Sequence, residues 1–177
     1  MQYFFTADQH FGHKNIINFC SRPFSSIEEM DEILIDNHNA VVSPEDTVVH
    51  AGDFTLIRNK DRVYRDYVQR LNGKHVFLEG SHDYWLKGDK NVKNIWGKEF
   101  ADRVYVVVCH YAMRVWHRSH WNSWQLYGHS HGQLSPVGKQ HDIGVDNNAY
   151  HPISFDVLVE IMKYKDDNPN KIEKERR

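Results

Sequence analysis

Five short apolar runs in this chain each break off into residues drawn from aspartate, histidine, glycine and serine. The breaks fall at Asp8-Gln9-His10, Gly52-Asp53, Gly80-Ser81-His82-Asp83, Cys109-His110 and Gly128-His129-Ser130-His131. A buried strand ending on a carboxylate or imidazole is how open α/β sheets place their chemistry, at the carboxyl ends of the strands. The central example is Thr47-Val48-Val49-His50, which turns at Ala51-Gly52 onto Asp53. Glycine before Asp53 permits a sharp turn and close approach of an ion or phosphate. A single Gly-Asp is only a turn signal. If the strands lie side by side, five such endings converge on one edge.

The segments between these runs supply the helices. Ser26-Ile27-Glu28-Glu29 reads as a capping box, and Ile27, Met30, Ile33, Leu34 and Val41 recur at helical spacing, predicting a helix from 27 to about 41 with His38 at its surface or boundary. Lys14–Cys20 predicts a short helix, and Asp61–Leu71 another that ends at Asn72-Gly73. Strands are predicted over 2–7, 47–50, 75–78, 104–109, 125–127 and 143–145, with 153–162 closing the sheet or capping it as a helix. Residues 84–102, with Gly88 and Gly97, read as loop, and 112–122 as an exposed loop whose Trp116 and Trp121 join Trp124 in hydrophobic packing. Strands alternating with helices predict an α/β protein. A single domain is assigned to 1–162, with a charged, flexible tail over 163–177.

Composition excludes several classes. A net charge of -2 gives no global field for nucleic acid. Two cysteines make no disulfide framework and fit a reducing compartment, so a cytoplasmic location is expected. No apolar run reaches membrane-spanning length. The departure from the ordinary is 13 histidines. Histidine is the commonest metal ligand and the usual proton carrier near neutral pH. Mixed imidazole and carboxylate ligation suits Mn²⁺, Fe, Zn²⁺ or Ni²⁺. Two such ions sit about 3.5–4 Å apart, a spacing one shared carboxylate can enforce.

Taken together, these motifs resemble those of the calcineurin-like metallophosphoesterases, from Gln2 to about Val159. The resemblance implies a four-layer α/β/β/α sandwich with a two-metal site at one end. It implies that Asp8, His10, Asp53 and His131 hold one ion, and that Asp53, residue 81, His110 and His129 hold the other. Manganese is the first choice, with Fe, Zn, Ni or Mg as alternatives. His82 is expected beside the scissile phosphate, held by Asp83, in hydrolysis of a phosphomonoester or phosphodiester by a metal-bound hydroxide. The substrate class is a small or nucleotide-like phosphate ester. The chain departs from the family at Ser81, where the family has asparagine. A neutral hydroxyl is a shorter and poorer ligand, so the second site is expected to be weak and turnover reduced.

His13, Lys14, Arg58, Arg114 and Arg118 lie near these motifs in sequence and are candidates for gripping phosphate. Two other readings compete. A non-catalytic scaffold of the same fold is favoured by Ser81 but has no need of six ligand-type side chains. A structural zinc site is disfavoured because such sites are closed and cysteine-rich.

Overall fold

The apolar runs form strands in two sheets. In the computed structural model, which describes residues 1–173, the order is β1 (Tyr3–Thr6), α1 (Lys14–Phe19), α2 (Ile27–Val41), β2 (Thr47–His50), α3 (Lys60–Asp66), β3 (Lys74–Phe77), β4 (Ile95–Glu99), β5 (Tyr105–Cys109), β6 (Trp124–Tyr127), β7 (Gln140–Asp142), β8 (Ile153–Ser154) and α4 (Phe155–Lys163). The first sheet runs β3-β2-β1-β8 and the second β4-β5-β6-β7. Within the first, β1, β2 and β3 are parallel and β8 is antiparallel; within the second, β5, β6 and β7 are parallel and β4 is antiparallel. The protein is therefore α/β with two mixed four-stranded sheets.

Strand alternation divides the core. Phe5 and Val49 face Val106, Val108 and Leu126 of the second sheet, sharing a core with Leu158 and Met162 of α4. Their neighbours Phe4 and Val48 point the other way, onto Val42 at the end of α2. A second core, built from Met30, Leu34 and Ile35 of α2 with Phe11, Phe54 and Trp85, lies on that helical side. Beyond the second sheet the cover is a loop. Gln125 bonds Met113 N–H and Tyr111 O, and His117 packs against Tyr105. Trp116 and Trp124 are buried as expected, but Trp121 is 64% exposed and lies tilted against the His120 ring instead.

Several boundaries differ from expectation. The helix predicted over 61–71 ends at Asp66, because Tyr67 leaves helical geometry, and a 3-10 turn follows at Val68–Arg70. Residues 95–99 form edge strand β4 rather than loop. The last strand of the second sheet is 140–142, three residues before the predicted position. The segment after Lys163 folds back: Asn168 is buried and donates to Ser119 O at 3.0 Å and Ser123 O at 2.9 Å, so residues 163–173 are not the loose tail that composition implied. Residues 174–177 of that predicted tail lie outside the described residues. No helix among the described residues is long and apolar enough to cross a membrane. The predicted capping box forms in part. Ser26 Oγ accepts from Glu29 N–H at 3.1 Å, while the Glu29 carboxylate reaches Ser25 N–H at 2.7 Å.

His38 is buried, not at the surface. Its Nε2 lies 2.8 Å from Asn72 O, and its ring stacks on His50. The Gln9 amide donates to His50 Nδ1 at 3.0 Å, which leaves His50 Nε2 to donate to His75 Nδ1 at 3.0 Å. Burial lowers the pKa of all three histidines, that of His38 to about 4. Each is neutral in the folded state, so stability is complete above the unfolded value near 6.5 and falls as pH drops toward the folded value. For His38 alone the loss between pH 7 and pH 5 is about 2 kcal/mol. Urea unfolding at the two pH values is expected to show a smaller difference in His38→Gln than in the parent; equal differences would refute this.

Candidate metal centre

The strand ends are locked together before any ligand side chain is considered. Asp8 N–H donates to Gly52 O and Gly128 N–H to His110 O, so the ends of β1 and β2, and of β5 and β6, are laced in pairs. Val145 N–H donates to Ala7 O, joining the two sheets. At Gly52, with φ +94°, a Cβ would lie 2.6 Å from Gly80 Cα and 2.8 Å from His110 Nδ1. Only glycine lets these ends meet. Asp8, His10, Asp53, His129 and His131 all have φ between 45° and 68°. Left-handed backbone is unfavourable for such residues, and strain of this kind gathers at functional sites.

Two groups of side chains result. Asp8, His10 and His131 bring ligand atoms within 4.8 Å of one another, and so do Asp53, His110 and His129. Asp53 joins the groups: its Oδ2 is 3.7 Å from His10 Nε2 and 3.4 Å from His110 Nε2. Neither ring nitrogen of buried His10, nor Nε2 of His110, has a hydrogen-bond partner among the described residues. Buried polar atoms without partners are costly and rare. Here they face carboxylates in the arrangement a cation would satisfy, so these buried groups could hold metal ions.

Outer partners orient the ligands. His110 Nδ1 lies 2.8 Å from Ala51 O, which turns Nε2 toward Asp53. His131 Nδ1 lies 2.7 Å from Asp146 Oδ2. Arg22, itself buried, donates to both oxygens of Asp146, at 2.8 and 2.9 Å, and to the carbonyls of Asp8 and Gln9. Neither Arg22 nor Asp146 is among the site residues expected from sequence: Arg22 follows no strand, and Asp146, although it stands directly after the predicted strand 143–145, has no glycine or histidine beside it to mark it. Cys20 also escaped it, although its sulfur lies within 4.8 Å of ligand atoms of His131 and Asp146.

Electrostatics follow the packing. Burial raises the Asp8 carboxyl to about 7 and lowers His10 to about 3. Burial pushes Asp53 upward too, but contact with His110 outweighs it and holds that carboxyl below its usual range. Burial works against a charged His131, yet the bond to Asp146 and the charge of Asp8 raise its pKa. Protons and metal ions compete for such groups, so an ion taken up here would release protons.

Asp83 does not hold the His82 ring, contrary to expectation. Its carboxylate accepts the N–H groups of Asp53 at 2.7 Å, Phe54 at 2.9 Å, Gly80 at 3.0 Å and Thr55 at 3.3 Å, with the Trp85 indole at 3.1 Å. It therefore fixes the Asp53 turn. His82 donates its main-chain N–H to Asp53 Oδ1 at 2.9 Å, and its half-exposed ring stands with Nε2 4.0 Å from Asp53 Oδ2. Ser81 directs its hydroxyl at both Asp53 oxygens, at 3.2 and 3.1 Å. Of the residues expected near phosphate, His13 lies beside His10, with ring centres 5.5 Å apart. Arg58 stacks on Tyr84, two residues past His82. Lys14 and Arg114 are exposed. Arg118 is not brought to the site: it pairs with Glu99 and lies over Tyr105, at the far end of β5 from His110.

Comparison with known proteins adds kinship. No family model matches the chain. It is 33% identical over 170 residues to the uncharacterized protein MJ1445 of Methanocaldococcus jannaschii, with 89% of each chain covered. The chain belongs to the family of MJ1445. A crystal structure of the protein of unknown function AQ665 from Aquifex aeolicus superposes with a TM-score of 0.68 at 23% identity, covering 90% of this chain and 98% of that one. The two-sheet architecture of this MJ1445 relative is thus shared with AQ665.

Proposed function

We propose that this chain is a metal-dependent phosphoesterase of the calcineurin-like type, acting on a small or nucleotide-like phosphomonoester or phosphodiester. The observation that carries the reading is the meeting of two ligand groups at Asp53, with buried, unpartnered nitrogens of His10 and His110 turned toward it. In this reading the sandwich is the four-layer one, with the 111–123 loop standing where the second outer layer belongs. Asp8, His10, His131 and Asp53 would hold one divalent ion, manganese by preference, and Asp53, His110 and His129 the other. When bound, such a pair supplies Lewis acidity and makes water acidic enough to serve as nucleophile near neutral pH.

The chain's own residues do the rest. Asp83, Arg22 and Asp146 hold the ligands in place by the bonds described above. His82 stands at the solvent side of Asp53, where it can give a proton to the leaving oxygen. Arg58 follows Asp53 closely in sequence and stacks on Tyr84, itself two residues past His82, and it offers a fork of donors for phosphate. Hydrolysis of 4-nitrophenyl phosphate and its bis ester with Mn²⁺, abolished by chelator, tests the reading. One observation favours a non-catalytic scaffold instead: Ser81 spends its hydroxyl on Asp53. Absence of chelator-sensitive hydrolysis in both this chain and Ser81→Asn would select the scaffold.

Ser81→Asn is itself a prediction. The parent is expected to bind one Mn²⁺ more tightly than the second. Asparagine at 81 is expected to tighten the second by roughly 10–100-fold, the scale on which partners of a metal site matter, and to raise turnover. Calorimetric titration reads both events; identical isotherms would show serine to be an adequate replacement.

A further inference from the structure

We infer that His13 is a second substrate-contacting imidazole, and that Asp31, on α2, is the positioning residue that holds it over the mouth of the centre. The inference rests on the phosphoesterase reading and adds to it a contact to the phosphoryl group. His13 belongs to no strand-end motif. Its ring centre lies 5.5 Å from that of His10 and 6.4 Å from that of His82, so it flanks the face that His82 also borders. Its Nδ1 is buried with no hydrogen-bond partner among the described residues, although the side chain as a whole is half-buried. An imidazole placed there can donate N–H to a phosphoryl oxygen while His82 serves the leaving oxygen.

The way this short loop is fastened supports the assignment. Asp31 is buried, and both its oxygens accept the same N–H, that of Gly12, at 3.2 and 3.1 Å. The Tyr67 hydroxyl donates to the same carboxylate at 2.9 Å. Burying a carboxylate is costly unless its bonds are made, and this one is committed to the residue next to His13. Gly12 has φ +73°, and a Cβ there would stand 3.1 Å from Ile57 and 3.3 Å from the Tyr67 hydroxyl, so the loop has little room to shift. His13 N–H closes the turn on His10 O at 3.0 Å. A charged group of α2 is thus linked, through one residue, to an imidazole beside the centre.

The test uses the full chain loaded with Mn²⁺, inorganic phosphate as probe and bis(4-nitrophenyl) phosphate as substrate. His13→Ala is expected to weaken phosphate binding and raise KM by about tenfold, the size of one or two lost hydrogen bonds, with Mn²⁺ affinity unchanged. His13→Gln, which keeps a donor, is expected to recover part of the loss. Asp31→Asn is expected to move KM in the same direction, and the His13→Ala/Asp31→Asn double variant to be no worse than His13→Ala alone, since Asp31 acts only through His13. Unchanged phosphate affinity in His13→Ala, or additive effects in the double variant, would overturn the inference. Should Asp31→Asn fail to fold, the two His13 variants decide the matter by themselves. A parent chain that binds neither Mn²⁺ nor phosphate would instead bring down the phosphoesterase reading, and this inference with it.

Discussion

Replacing Asp53 with asparagine is expected to weaken both metal sites at once. Its carboxylate lies between the two ligand sets, 3.7 Å from His10 Nε2 and 3.4 Å from His110 Nε2. Asparagine keeps the shape but presents one carbonyl oxygen and an NH₂ that cannot ligate. The turn should survive, because it is held by the main-chain N–H of residue 53 bonding Asp83, not by the side chain. Loss of an outer partner of a metal ligand costs roughly 10–100-fold in affinity; loss of a shared ligand should exceed that at each site. Mn²⁺ titration with a thermal melt as a folding control measures this. A variant that still takes up two ions at parental affinity would show that the two groups are independent, and the proposed reaction would lose its bridging element.

The strand-end ligands were legible from sequence because each motif is local and because parallel strands deliver their carboxyl ends to one edge. Two mixed sheets, each with three parallel strands and laid so that those edges coincide, do the rest. What was not legible depended on neighbours distant in the chain. Gly97 reads as a loop residue, yet it sits mid-strand in β4 because a Cβ there would meet the Tyr105 ring, its hydroxyl at 2.7 Å. Gln140-His141-Asp142 looks too polar for a strand, but Gln140 is buried by bonds from its side chain to Gln125 and Met113 O. His38 fits a helix surface until His50 and Asn72 close over it. Arg22 and Asp146 are 124 residues apart, and although Asp146 follows the predicted strand 143–145, only the fold pairs it with Arg22. Asp83 shows the opposite limit. Its position in the motif is recognisable, but apart from the Trp85 indole its partners are main-chain N–H groups, which no side-chain pattern reveals.

His82→Ala is expected to lower turnover by roughly 10²–10⁴, the range for loss of a general acid, while Mn²⁺ binding is retained. The separation follows from how His82 meets Asp53. Its contribution to the ligand's placement is the main-chain N–H at 2.9 Å, which alanine keeps. The side chain is 42% exposed, so its removal leaves no enclosed cavity. The size of the loss should depend on the leaving group. 4-Nitrophenolate departs without protonation, so its ester should lie near the lower end of that range, whereas an alkyl phosphate needs the proton and should lie near the upper end. Measuring kcat for both esters in parent and variant separates a proton donor from a residue that only shapes the site, because the latter would slow both equally. A parental rate on the alkyl ester would take His82 out of the chemistry and leave the leaving oxygen without an acid among the groups that border Asp53.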